Sequence, residues 1–176
     1  MAYILRGTAL NGDVRLFAAI TTDLVEKARQ IHDLSPTASA ALGRLLTAGA
    51  MMGAMQKGEK DTITIRMNGG GPAGNIIVVA DSKGRVKGYM SNPNVDIPLN
   101  QRGKLDVGGA IGKDGMLNIV KDMGLREPYV GQVPIYTGEV GDDIAYYFNI
   151  SEQTPTAVPV GVLVDTDRTI KAAGGL

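Results

Sequence analysis

Apolar residues along this chain follow two spacings, one helical and one alternating, and the changes between them mark out the elements. Residues 3–10 and 14–20 carry the residue types of strands, and Asn11-Gly12 between them is the preferred pair for a two-residue hairpin turn. From Thr21 or Thr22, either able to cap, a helix is predicted to run to Leu34. Leu24, Val25, Ala28 and Ile31 fall on one face, opposite Glu26, Lys27, Arg29 and Gln30. Ser35 then caps a second helix, with Pro36 at its first position, where a missing N–H costs nothing. Residues 37–56 carry Ala, Gly, Leu and Met on nearly every side, and only Arg44 and Gln56 are strongly polar. Such a helix is expected to be buried, with its neighbours packed close against its glycines.

Beyond Gly58 the alternating spacing returns. Residues 62–67 read as a half-buried strand, and Asn68-Gly69-Gly70-Gly71-Pro72 forces a turn. Residues 75–80 form an uninterrupted apolar strand suited to the middle of a sheet. A turn at 81–84 leads into a strand over 85–90. Pro93 and Pro98 exclude a regular helix from 91–102, and 106–111 allows one helical turn. Residues 116–122 and 129–137 alternate as strands around Gly124. A short helix over 142–151 starts acidic, which complements the helix dipole, and carries Ile144, Tyr147 and Phe148 as its apolar face. Thr154 and Pro155 end it, and 158–164 with 169–173 close the chain as a hairpin turned at 165–168. Paired strands with clustered helices, and no repeated βαβ unit, predict an α+β fold. Mainly antiparallel sheets packed with helices should form a single compact domain.

The length of 176 residues fits one domain. A formal net charge of +0 argues against a protein that tracks nucleic-acid phosphates, which would carry a basic excess. With no cysteine and one histidine, the chain holds no disulfide, thiol nucleophile or thiolate zinc site, and its composition fits a reducing, cytoplasmic setting. No apolar run approaches the roughly 20 residues that span a bilayer. No basic segment leads into an apolar stretch at the start, so a signal peptide is not expected. The 24 glycines are spread between short apolar runs, which predicts many tight inter-strand turns.

Each candidate for chemistry has a structural reading beside it. The run at 69–74 follows a strand, as a phosphate loop does, but leads into Ile76, Ile77, Val78 and Val79 rather than a helix, and lacks a Gly-Lys-Ser/Thr ending. A tight turn explains it. His32 stands near a helix C-terminus without a second His or Cys, and reads as a surface or capping residue. Asp142 and Asp143 diverge by about 100° on a helix, so they read as first-turn charges rather than a catalytic pair. Ser35, Ser39 and Thr47 have no accompanying base. No set of groups for acid–base or covalent catalysis emerges, and the expectation is a protein that is not an enzyme. Met51, Met52 and Met55 continue a helix apolar all round, which places two or all three in the core. Exposed, they would form an adaptable binding surface. Tyr146, Tyr147 and Phe148 cannot all point inward from one helix, so at least one should be exposed or covered by a partner subunit.

Several segments together resemble a known family. They are Pro36-Thr37-Ala38-Ser39-Ala40-Ala41-Leu42-Gly43-Arg44, Gly69-Gly70-Gly71-Pro72, Gly88-Tyr89, Asn92-Pro93, Gly103-Lys104-Leu105-Asp106-Val107, Ser151-Glu152-Gln153 and Ala172-Ala173-Gly174-Gly175. In this order, across essentially the whole chain, they resemble the N-terminal core of the redox-regulated 33-kDa heat-shock chaperonins of bacteria (Hsp33). The resemblance implies a chaperone that holds unfolding clients without ATP and is switched on by oxidation. It also implies homodimers, formed partly by elements exchanged between subunits. In that family the switch is a C-terminal zinc module of four cysteines, so zinc is expected there and no cofactor is expected here. The chain stops at Leu176 without cysteines, and residues 1–176 are expected to be the core without its linker and zinc module. The client or dimer surface is placed on Tyr146, Tyr147, Phe148, Met51 and Met55, with no nucleic-acid or membrane partner. Two alternatives remain open: a structural dimerisation core that leaves clients to the missing part, and a nucleotide-binding domain using the turn at 69–74.

Overall fold

In the computed structural model, which describes residues 2–176, fourteen segments follow one another. They are β1 (Tyr3–Ala9), a 3-10 turn (Leu10–Gly12), β2 (Val14–Ile20), α1 (Thr22–His32), α2 (Pro36–Ala54), β3 (Thr62–Asn68) and β4 (Ile76–Asp81). Next come β5 (Val86–Met90), α3 (Val107–Ile111), β6 (Met116–Asp122), β7 (Tyr129–Pro134), α4 (Val140–Ser151), β8 (Val160–Val164) and β9 (Ile170–Gly175). All the ladders are antiparallel. One sheet is ordered β1-β2-β9-β8 and the other β5-β4-β3-β6-β7. This is the α+β architecture that the spacing predicts.

Helix α2 touches both sheets and the other three helices. Ser35 starts it as expected, accepting the Ala38 N–H at 3.2 Å, while its own hydroxyl donates to the Val95 carbonyl at 2.6 Å. That second bond ties the irregular segment after β5 to the head of the helix. From Thr37 to Ala54 every residue but Arg44 is buried. Its glycines stand where neighbours come too close for a side chain. A Cβ on Gly43 would lie 2.6 Å from Val25 Cγ1, one on Gly49 2.6 Å from Val78 Cγ1, and one on Gly53 2.5 Å from the Asp81 carbonyl oxygen. Gly43 therefore admits α1 and β8 on one side, and Gly49 and Gly53 admit β4 on the other. Leu42, Leu45 and Leu46 fill the space left, against Ile63, Ile65, Ile76, Leu117, Ile119 and Ile144.

Several expectations are corrected in detail. The first hairpin does not turn on two residues. The last pair is Ala9 with Val14, so residues 10–13 form the loop, and Leu10, Asn11 and Gly12 all take positive φ. Helix α1 stops at His32, because Asp33 takes the left-handed conformation that ends a helix and Leu34 N–H closes back on the Arg29 carbonyl at 3.0 Å. Ile31 is exposed: the last turn of α1 overhangs the core, which meets the helix at Val25, Leu24 and Ala28. Thr21 does not cap with its side chain. It is buried and bonds to Thr47 at 2.7 Å; since Thr47 donates to the Gly43 carbonyl, Thr21 is the donor of the pair. Strand β7 ends at Pro134, earlier than expected, and α4 begins at Val140. Strand β8 starts only at Val160, and β9 continues to Gly175, where it also pairs with Ala19 of β2.

Glu26 latches α1 onto β9. Its Oε2 accepts the Ile170 N–H at 2.9 Å, and its two oxygens accept from Arg29 at 2.9 and 2.7 Å. The Arg29 guanidinium holds this carboxyl down at about 2, against the opposing pull of partial burial, where 4.5 is ordinary.

Two outcomes follow from this packing. Gly53→Ala must push against the backbone of β4 and should cost about 1–3 kcal/mol in urea unfolding, whereas Gly7→Ala, with open space around it, should change stability by less than about 0.5 kcal/mol. Equal effects would mean that the close approach of α2 to β4 is not under constraint. The lowered Glu26 carboxyl favours its charged form in the fold, so its contribution is whole above pH 4.5 and fades as pH falls towards about 2. Glu26→Gln should therefore lose stability at neutral pH, and the gap to the parent should close across that window. A gap that does not change with pH would rule the latch out.

Candidate functional site

Alternation puts one face of the five-stranded sheet against α2 and leaves the other face uncovered by any described element. Ile63, Ile65 and Met67 of β3 point inward, as do Ile76 and Val78 of β4 and Leu117 and Ile119 of β6. The outward positions are not uniformly polar. Val79, Thr64, Val120 and Val130 stand side by side across four strands, and Tyr89, Ile77, Arg66, Asn118 and Gln132 make the next row. Val130 and Tyr89 are exposed, while Ile77, Val79 and Val120 are half-buried only by their neighbours. A shallow trough of about 690 Å³ crosses this face.

A second apolar opening lies between β2, α2, α4 and the segment after α4. Met51, Met55 and Phe148 line it, together with Phe17 and Val158, around a cavity of about 330 Å³. The structure thus brings together three of the five residues expected on a surface, but not as an exposed patch. Met51 and Phe148 are buried and Met55 is half-buried, so they form the walls of a groove. Tyr147 is fully buried. Its ring lies against Gly131 of β7, where a Cβ would come within 2.6 Å, and its hydroxyl donates to Glu152 at 2.8 Å. Glu152 also takes the Lys121 ammonium, and burial together with this acceptor pushes the Tyr147 phenol well up. Tyr146 is half-buried and stacks on Tyr136, with centroids 5.4 Å apart. For Met51, Tyr147 and Phe148 the surface reading is therefore corrected: the helices that carry them turn these side chains inward.

The third feature is the β1–β2 hairpin. Beyond the contact of Ala19 and Ile20 with β9, it runs out with both faces largely in solvent, and Tyr3, Leu5, Leu16 and Ile20 are exposed.

The polar candidates have structural work. Asp143 is not a solvated first-turn charge: it is fully buried and accepts from Tyr136 N–H at 2.6 Å, Thr137 N–H at 3.1 Å and the Thr137 hydroxyl at 3.2 Å. Burial pushes its carboxyl up, and the Tyr136 and Thr137 donors pull the other way. Asp142, its neighbour, is exposed. The His32 Nε2 meets the Gly88 carbonyl at 3.0 Å and so ties α1 to β5 rather than capping its own helix. Arg44, the one charged side chain of the buried helix, pairs with Glu139 at the start of α4. Ser39 is buried, and its hydroxyl has no hydrogen-bond partner among the described residues. Four amides of the glycine turn are already engaged. Gly70 donates to Asn68 Oδ1, Gly71 to the Ile111 carbonyl, Ala73 to the Ala110 carbonyl and Gly74 to the Gly71 carbonyl. A Cβ on Gly69 would sit 2.1 Å from the Gly112 oxygen, so the glycines serve a close approach of two loops. Among the described residues there is no group of three or more acidic or histidine side chains placed to hold a metal, and no helix long and apolar enough to cross a membrane.

Two antiparallel sheets close on one small-residue helix and leave apolar surface outside, and comparison with known proteins gives the class. The family model described as Hsp33 protein matches residues 2–176, and the chain belongs to the Hsp33 family. The 33 kDa chaperonins of Clostridium tetani and Clostridium acetobutylicum are 61% and 62% identical to it over 172 residues. The crystal structure of the 33 kDa chaperonin of Thermotoga maritima superimposes with a TM-score of 0.91 at 44% identity. Each of the three matches covers 98% of this chain but only 58% of the relative.

Removing the Asp143 carboxylate should leave the Tyr136 and Thr137 amides without their acceptor. Asp143→Ala is expected to cost about 1–3 kcal/mol for each group left unpaired, and Asp142→Ala only about 0.3–1 kcal/mol from the helix dipole. Urea unfolding of the two variants compares them directly; a smaller loss at Asp143 would contradict the assignment.

Proposed function

We propose that this chain is the client-holding core of an ATP-independent chaperone, one that keeps unfolding proteins from aggregating under heat and oxidative stress. The observation that carries the reading is the open face of the five-stranded sheet. Ile77, Val79, Tyr89, Val120 and Val130 give it apolar area on four strands, and Thr64, Arg66, Asn118 and Gln132 interleave groups that can hydrogen-bond to bare peptide. Unfolded chains offer apolar side chains beside unpaired backbone groups, in many sequences. A shallow mixed face suits such partners, where a deep pocket would select one shape. The name chaperonin carried by relatives of the same fold supports this reading. So does the state of the glycine turn, whose engaged amides leave the nucleotide-binding alternative without support. The role is non-enzymatic, and the chain's composition accords with the cytoplasm.

Oxidative control belongs, in this proposal, to the longer protein. Four thiolates cannot come from a chain without cysteine, so the zinc and its switch are assigned to a module outside residues 1–176, with this chain as the N-terminal core. A core without that module should hold clients constitutively. The exposed β1–β2 arm favours a second property, association of two copies, and a purely dimerising scaffold is the competing reading.

Light scattering of a chemically unfolded client, diluted with and without the chain, tests the proposal. Suppression should occur with no ATP or oxidant, and Val130→Asp should weaken it while changing stability by less than about 0.5 kcal/mol. A folded sample that does not suppress aggregation, yet sediments as a dimer, would leave the scaffold reading in its place.

A further inference from the structure

Two Asn-Gly pairs occur in the chain, Asn11-Gly12 and Asn68-Gly69, and the fold treats them in opposite ways. In such a pair no side chain shields the backbone nitrogen that follows the carboxamide, which leaves that nitrogen free to attack it. We propose that Asn11 is a site of spontaneous deamidation through a cyclic imide, and that the fold protects Asn68 from the same reaction. The Gly12 backbone nitrogen gives up its proton to a solvent base and bonds to Asn11 Cγ. The Cγ–Nδ2 bond breaks, and ammonia leaves carrying a proton returned from solvent. Water then opens the five-membered ring at one carbonyl or the other, giving aspartate or its β-linked isomer. One water is consumed, one ammonia is released, and nothing is oxidised or reduced.

Asn11 lies in the loop at the free end of the β1–β2 arm. It is exposed, and its carboxamide has no hydrogen-bond partner among the described residues. Leu10 (φ 50) and Asn11 (φ 56) both occupy the left-handed region, which L side chains adopt reluctantly. No packing compels them to stay there: Leu10 is 72% exposed, and a Cβ on Gly12 would meet nothing within 4 Å. Rotation of Asn11 away from its ψ of 24°, needed to bring Gly12 N onto Cγ, therefore breaks no side-chain contact of the loop.

Asn68 has none of this freedom. Its Oδ1 accepts from Gly70 N–H at 2.9 Å and its Nδ2 donates to Asn75 Oδ1 at 3.1 Å, which fixes both ends of the carboxamide. The residue is paired with Met116 in the sheet, and Gly69 accepts the Asp114 N–H at 2.8 Å while lying against Gly112. Conversion at Asn11 would place a new carboxylate beside Asp13, and the β-linked product would lengthen the backbone at the turn. Both changes alter the arm without touching the core.

The test is tryptic mapping of the full chain after incubation in mildly alkaline buffer, in native conditions and in denaturant, beside a synthetic peptide of residues 7–15. The native protein should show the mass gain of amide-to-acid exchange in peptide 7–15, localised to Asn11, while Asn68 in peptide 67–83 stays intact. In denaturant both should convert, and Asn11→Gln should abolish the gain in 7–15. An unchanged Asn11 in the folded protein, where the synthetic peptide converts, would overturn the proposal. Conversion of Asn68 at the same rate as Asn11 in native conditions, or its persistence in denaturant, would overturn the protective role of the fold.

Discussion

Both sheets approach α2 more closely than side chains would allow, and the remaining elements are arranged around that contact. A helix normally keeps its neighbours about 8–10 Å from its axis, at a distance set by side chains. At Gly43, Gly49 and Gly53 there is no side chain, and Val25, Val78 and the Asp81 backbone occupy the space where a Cβ would be. Three elements on two sides therefore share one short helix as their core. Leucines at 42, 45 and 46 supply the apolar volume between the contact points. Two of the polar exceptions are handled by pairing, Thr21 with Thr47 inside and Arg44 with Glu139 at the margin, while the Ser39 hydroxyl stays unpaired among the described residues.

Concentrating the core on one helix has a consequence for the surfaces. Each sheet is satisfied on the side that faces α2, and no described helix covers the opposite side of the five-stranded sheet. Apolar positions of both parities in β4 and β6 then leave Ile77, Val79 and Val120 on that side. The β1–β2 arm is left in solvent for a related reason, because β9 pairs with β2 only at Ala19 and Ile20. Open apolar area in a protein of balanced charge is costly to solubility unless it is used, and a surface for unfolded polypeptide is a use that needs no shaped cavity. The exposed face is therefore the feature on which the proposed holding of unfolded polypeptide rests.

Much of this architecture is legible in the spacing of apolar residues and in the capping residues alone. The Ser35-Pro36 start, the burial of the small-residue helix, the glycine turn and the α+β class all rest on local chemistry, and local chemistry decides them here. The features that escape such a reading depend on distant neighbours. Asp143 is the exception in range: Tyr136 and Thr137 are close in sequence, but no spacing rule shows that the chain before α4 folds its amides onto the carboxylate. Three successive aromatics overfill a helix face, so the sequence shows that at least one of Tyr146, Tyr147 and Phe148 stays out but not which; the space that Gly131 leaves on β7 takes Tyr147 in. The open sheet face is hidden because an apolar run such as 75–80 looks the same whether covered on one side or on both. Its signals in the sequence lie in β3, whose alternation reads as a half-buried strand, and in β6, where Asn118 and Val120 share the outward parity.

Site-specific photo-crosslinking would show whether the open sheet face is where clients are held. A photoreactive side chain at residue 130, on that face, and one at residue 27, on the polar face of α1, are each irradiated with an unfolding client present. Client adducts are expected from residue 130 and few from residue 27, with the adducts competed away by excess unlabelled client. Equal labelling from both positions, or labelling only from residue 27, would contradict a client-holding role for this face.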